Sequence, residues 1–143
     1  MEKNQKLTAK IKLKTIGINL LLFLILFGLV SLNKTYIRPN FTSPVMTLLS
    51  GSFPNFIAAF LISLFAVNAV TAVRPANGRL IVYASAVIIS AILIIEEFKS
   101  VWGASSQFDR YDIIATIIGS LLAILTYEII LNRQKGQNRK RDN

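Results

Sequence analysis

The sequence predicts an all-α fold: a polytopic membrane protein with four transmembrane helices in an antiparallel bundle. Three observations predict it. The 143 residues are 53% hydrophobic and only 16% charged, and the mean hydropathy is +0.55, whereas a soluble domain of this length needs a polar exterior. The apolar residues gather into four runs, each close to the roughly 17–25 residues that cross a hydrocarbon core. Within each run they are continuous, while a barrel strand alternates apolar and polar residues over about ten positions. A helical bundle follows.

Residues 1–15 form a basic arm carrying Lys3, Lys6, Lys10, Lys12 and Lys14, and the uncharged run 16–32 after it is the first helix. That run closes on Leu29, Val30, Ser31, Leu32 and Asn33. These are not the small residues of a signal-peptide cleavage site, so the run reads as an uncleaved signal anchor. Residues 33–55 hold Lys34, Arg38, Pro39, Pro44, Gly51 and Pro54 and read as a loop. Inside it, Ser43-Pro44 followed by VMTLL has the form of a helix start with proline in the first turn; a short interfacial helix ending near Gly51 is expected. Asn40-Phe41-Thr42 matches the glycosylation acceptor pattern, which we read as a chance match in a bacterial inner-membrane protein.

The second helix spans 56–73, with Ala58, Ala59, Ser63, Ala66 and Ala69 as small residues for close packing. Arg74-Pro75-Ala76-Asn77-Gly78-Arg79 supplies the proline and the Asn-Gly pair that tight turns use, so the second and third helices form an antiparallel hairpin. The third helix spans 80–97 and the fourth 113–131. Residues 132–143 form a basic tail that is expected to be disordered. The membrane domain is therefore 16–131.

Four spans put both termini on one side. Twelve lysines and arginines lie on that side and four (Lys34, Arg38, Lys99 and Arg110) on the other. Basic residues mark the cytoplasmic face, so both termini are expected in the cytoplasm, with the chain in the bacterial cytoplasmic (inner) membrane. Four of the seven acids, Glu96, Glu97, Asp109 and Asp112, then fall within seventeen residues at the outer face. The asymmetry is basic inside, acidic outside.

The net charge of +9 does not indicate nucleic acid, because the basic residues sit at the termini and one loop without interleaved aromatics. With no cysteine and no histidine, disulfides, thiolate nucleophiles, His/Cys metal sites and Ser-His-Asp machinery are excluded. No catalytic residue, metal or cofactor is expected, and the chain is read as a non-enzyme.

On a 3.6-residue period Ala86, Ser90 and Glu97 share one face of the third helix, while Glu96 falls on a lipid-directed face with Ile89 and Ile92. On the fourth helix Asp112, Thr116, Gly119, Ala123 and Thr126 line a stripe, and Ala115, Gly119 and Ala123 repeat the small-residue spacing that brings helix backbones together. Glu97, Asp109 and Asp112 are the candidate ligand-binding residues; Ala115, Gly119 and Ala123 are the packing residues. Each acid also has a plainer reading. Asp112 caps a helix, Asp109 pairs with Arg110, and Glu97 reaches outward to the interface. Glu128 is expected to reach the cytoplasmic headgroups near Arg133, and Trp102, Phe108 and Tyr111 to anchor the hairpin at the outer interface.

Glu97, Phe108, Asp109, Asp112 and Gly119 stand at a spacing that resembles the VanZ-like family of small bacterial membrane proteins. In that family a glutamate ends one membrane helix, a glutamine lies a turn later, and an arginine precedes an FD-like pair. An aspartate then opens the last helix, with an asparagine a turn inside and a glycine after it. Ser100, Ser106 and Thr116 stand here where glutamine, arginine and asparagine would be. The resemblance covers the last third of the chain and implies the same four-helix layout. It also implies a link to low-level glycopeptide (teicoplanin-type) resistance.

The leading expectation is an envelope protein whose outward acidic mouth binds a cationic antibiotic, a lipid or an ion. Its partners would be membrane lipids and an envelope-directed small molecule, with no nucleic acid, and its oligomeric state stays open. The alternatives are a small oligomeric transporter, which wants an ionisable group near mid-membrane, and a structural subunit of a membrane complex. An enzyme with paired carboxylates or Mg²⁺ ranks last.

Overall fold

The computed structural model describes residues 2–40, 43–98 and 109–139. Four long helices pack together: α1 (Glu2–Leu32), α3 (Pro44–Val73), α4 (Gly78–Phe98) and α5 (Arg110–Arg139), with a π-helical turn (Asn33–Ile37) and a short α2 (Arg38–Asn40) extending α1. Four segments are long and apolar enough to cross a membrane: Ile11–Asn40, Pro44–Val73, Gly78–Phe98 and Arg110–Gln137. The chain is an all-α, four-helix membrane bundle.

The expected loop at 33–55 is instead helical on both sides of residues 41–42: Asn33–Asn40 extends α1, and from Pro44 onward the chain is the first part of one long helix, α3. Ser43 caps α3 with extended backbone (φ −66°, ψ 143°), its Oγ accepting from the Met46 N–H at 3.3 Å, and Pro44 occupies the first turn. The helix then runs straight through Pro54. A proline inside a helix removes the N–H that would bond the carbonyl four residues back, here Ser50, at a cost of about 3 kcal/mol. The chain supplies donors from elsewhere. Asn33 Nδ2 donates to Ser50 O at 2.7 Å and Arg38 Nε to the same oxygen at 3.3 Å, while Arg38 Nη2 donates to Gly51 O at 2.9 Å. Asn33 lies at the start of the π turn and is 1% exposed. Where no water reaches, every backbone group needs such a partner, and the two bonds to Ser50 O supply it at the position Pro54 leaves open.

The other helices also exceed their expected bounds. α5 begins at Arg110 and continues to Arg139, so residues 132–139 are helical and not disordered, and α1 takes in the basic arm from Glu2 onward. Between α3 and α4 the expected turn is present. Arg74 adopts the left-handed conformation (φ 54°, ψ 55°), its N–H bonding Val70 O at 2.7 Å, and Gly78 N–H bonds Pro75 O at 3.1 Å. The chain reverses there.

α3 is the centre of the bundle and touches α1, α4 and α5. In lipid, helices gain little from hydrophobic burial against one another, so close contact through small residues has to hold them. Gly119 provides the closest approach: a Cβ there would collide with the Phe56 carbonyl oxygen and crowd Ala59 and the Phe60 nitrogen. Ala59 and Ala123 are both 0% exposed, and Ala115 is half-buried. The small-residue stripe of α5 therefore meets α3. Nearer the termini Val67, Val70, Val82 and Tyr127 form an apolar cluster, backed by Leu64, Ile130 and Leu131.

α1 lies outside this three-helix core and, among the described residues, meets α3 alone of the other long helices. Asn68 Nδ2 joins them, donating to Asn19 Oδ1 at 2.8 Å and Thr15 O at 3.1 Å. Leu20, Leu21, Phe23, Leu24 and Phe27 are exposed along its outer side.

Candidate functional site

At the end of the bundle away from the termini, α3, α4 and α5 bring polar side chains to one mouth. Glu97 is in the last turn of α4. Its Oε2 accepts from Asn55 Nδ2 of α3 at 3.4 Å, and its Oε1 from the Asp109 N–H at 3.3 Å. The shared face with Ala86 and Ser90 is thus realised as an inward direction for Glu97. Glu96 is partly buried as well, not open to lipid as its helical position suggests.

Asp109 precedes α5 and caps it. Its Oδ1 accepts from the Tyr111 N–H at 2.9 Å, and its carbonyl from the Asp112 N–H at 3.2 Å. A carboxylate there satisfies free amides and sits at the positive end of the helix. The capping role expected of Asp112 thus belongs to Asp109, whose carboxylate engages the backbone of its own helix start.

Asp112 is left free of that duty. It is half-buried on the face of α5 toward α3, with Ser52, Glu97, Asp109 and Arg38 as its polar and charged neighbours. Its buried Oδ1 has the Ser52 hydroxyl as its hydrogen-bonding neighbour, with no closer donor among the described residues, and Asn33 Oδ1 is buried without a partner. Orphaned buried oxygens are uncommon and costly, of order 1–3 kcal/mol each. Asn33 Oδ1 and the Asp112–Ser52 pair put buried polar groups that are short of donors at one end of the bundle. The three acids are neighbours, yet among the described residues no three acids stand close enough to hold one metal ion.

Below the mouth the polar line continues inward. Thr116 and Ser120 are buried one and two turns after Asp112, and the Ser90 hydroxyl of α4 donates to Ser120 Oγ at 2.6 Å. Ser63 of α3, 2% exposed, has an unpartnered Oγ. Thr126, last in the expected stripe, bonds back to Leu122 O at 2.8 Å and is only half-buried.

At the termini end Glu128 behaves differently. Its partner is not the neighbouring Arg133 but Arg79 at the start of α4, whose Nη2 lies 2.7 Å from Oε2; the Tyr83 hydroxyl donates to Oε1 at 3.0 Å. Arg79 is one turn from Tyr83 on α4, so both reach the same carboxylate across the α4–α5 contact.

Asn33, Arg38, Ser52 and Asn55 are absent from the sequence-derived site, because all four fall in the stretch expected to be a loop. One signal for them exists. Pro54 within a helix requires donors for Ser50, and Asn33 and Arg38 are side-chain donors just upstream. Trp102, Phe108, Ser100 and Ser106 lie outside the described residues, as does the Phe41-Thr42 half of the acceptor pattern; Tyr111 is 50% exposed at the mouth.

What this geometry offers is a set of carboxylate and hydroxyl oxygens at one end of the bundle, with a single guanidinium, Arg38, among the neighbours of Asp112. Comparison with protein-family models, with curated proteins and with solved structures finds no match to this chain.

Proposed function

We propose that this multi-pass protein is a non-enzymatic envelope protein of the VanZ-like type, whose acidic mouth holds the cationic part of an antibiotic or lipid. The single observation that carries the reading is the Asp112 carboxylate, half-buried next to two further acids, with the Ser52 hydroxyl as its hydrogen-bonding neighbour and no cation paired to it. Ionisable groups inside a membrane bundle mark functional sites by default. The mouth faces outward, and both termini are cytoplasmic, on the strength of the twelve-to-four division of basic residues. The resistance link rests on the resemblance around Glu97, Asp109, Asp112 and Gly119.

A second reading, a small oligomeric transporter, is favoured by the buried polar line of Thr116, Ser120, Ser90 and Ser63. It predicts proton-coupled efflux in vesicles, which a binder does not perform.

The test is the teicoplanin susceptibility of a sensitive Gram-positive host, expressing the wild type or the combined Glu97→Gln, Asp109→Asn, Asp112→Asn variant at matched membrane levels. Protection by the wild type that disappears in the variant is the expected result. Equal protection by both removes the acids from the site, and protection by neither removes the antibiotic.

A further inference from the structure

Between α4 and α5, with no α3 residue in its walls, lies an open groove of about 340 Å³, walled by Val87, Ala91 and Ile94 of α4 and by Ile117, Leu121 and Ile124 of α5. Its only polar side chains, Ser90 and Ser120, are bonded to each other on its floor. The groove presents an apolar surface.

Its upper end runs into charged groups of both signs. Ile94 lies one turn below Glu97. Ile117 lies seven residues, close to two turns, below Arg110, so Arg110 stands on the same face as Ile117, Leu121 and Ile124. A separate cavity is lined by Asp109, Arg110, Tyr111 and Ile114 at the start of α5. Above the apolar groove stand the Arg110 guanidinium and, at the α4–α5 seam where Glu97 also accepts from Asn55 and the Asp109 N–H, the Glu97 and Asp109 carboxylates.

We propose that this surface binds one phospholipid with a primary-amine headgroup. One acyl chain lies in the α4–α5 groove, the phosphate meets Arg110, and the ammonium meets Glu97 and Asp109. The assignment rests on the cation-binding reading of the mouth and names its occupant. Charge order selects this lipid over the other candidates for the groove. A purely anionic lipid satisfies Arg110 but sets its headgroup against two carboxylates. A choline headgroup has the charge but no N–H donors for Glu97 and Asp109. A second copy of this chain packed side by side in the same orientation brings the same acids against themselves. A zwitterion with an ammonium beyond its phosphate matches both signs.

The experiment is native mass spectrometry of the full chain released from nanodiscs that contain equal amounts of phosphatidylethanolamine, phosphatidylcholine and phosphatidylglycerol with identical acyl chains. The expected result is about a tenfold enrichment of phosphatidylethanolamine adducts, the scale of one charge-assisted hydrogen bond that the competitors do not make. Ala91→Phe, which fills the groove from its lipid side, is expected to abolish the enrichment, and Glu97→Gln with Asp109→Asn to bring phosphatidylethanolamine down to the level of phosphatidylcholine. Absence of enrichment in the wild type overturns the lipid assignment. Enrichment that is lost in the carboxylate variant but unchanged in Ala91→Phe overturns the groove and leaves the cation-binding mouth standing. Enrichment that survives loss of both carboxylates overturns the role of the mouth as well.

Discussion

The two ends of the bundle treat a carboxylate in opposite ways. Near the termini, both oxygens of Glu128 are occupied, by Arg79 and by the Tyr83 hydroxyl, and the turn beneath is closed by Gly78 fitted against Val70 and Tyr127. At the other end Asp112 is half-buried beside the Ser52 hydroxyl, among two further acids. Glu128 is tied to α4 by a cation and a phenol. Asp112 has a serine hydroxyl beside it and two acids nearby, and the proposed site rests on that difference. Natural proteins commonly give up stability at positions that function requires.

The comparison depends first on the α3–α5 contact that sets Asp112 beside Ser52. Gly119→Val is expected to have the largest effect, since the added side chain meets the Phe56 backbone and cannot be relieved by a rotamer change. A loss of about 3 kcal/mol or more, or failure to accumulate in membranes, is expected from overpacking at a backbone contact. Detergent-solubilised yield and thermal unfolding check it. Next comes Asn33→Leu, which strips a donor from the Ser50 carbonyl and is expected to cost about 1–3 kcal/mol. Adding Pro54→Ala returns the missing N–H, so the same Asn33 change should then cost much less. A double-mutant cycle without that coupling would detach Asn33 from the proline.

Smaller effects sharpen the contrast between the ends. Glu128→Gln is expected to lower the unfolding midpoint modestly, and by less at high salt, because the Arg79 partner is 55% exposed and screened. Asp112→Asn is expected to leave the midpoint unchanged or raise it, since a neutral amide retains hydrogen-bonding capacity and ends the repulsion from Glu97 and Asp109.

Much of the fold was legible because lipid imposes a simple rule. Uninterrupted apolar runs must be helices, and the Arg74–Arg79 turn and the Gly119/Ala123 stripe followed from local chemistry alone. The misread stretch was 33–55, where local signals and tertiary partners conflict. Pro54 and Gly51 signal a break when the chain is read one residue at a time, and only Asn33 and Arg38, folded back on Ser50, allow the helix to continue. At the site, the acids stood out by charge and spacing, and Glu97 was correctly aimed from its helical face. Which of Asp109 and Asp112 caps α5 turned on where the helix begins, three residues earlier than expected. The partners Ser52 and Asn55 come from α3, a contact no periodicity within α4 or α5 could reveal.

The most direct test of the distinction is thermal unfolding of the wild type, Asp112→Asn and Glu128→Gln in one lipid nanodisc preparation. A midpoint for Asp112→Asn at or above the wild type, with Glu128→Gln below it, is the result expected if the acidic mouth is a site and the Arg79–Glu128–Tyr83 cluster a lock. A drop for Asp112→Asn as large as that for Glu128→Gln would make Asp112 another structural charge and remove the ground for placing a ligand there.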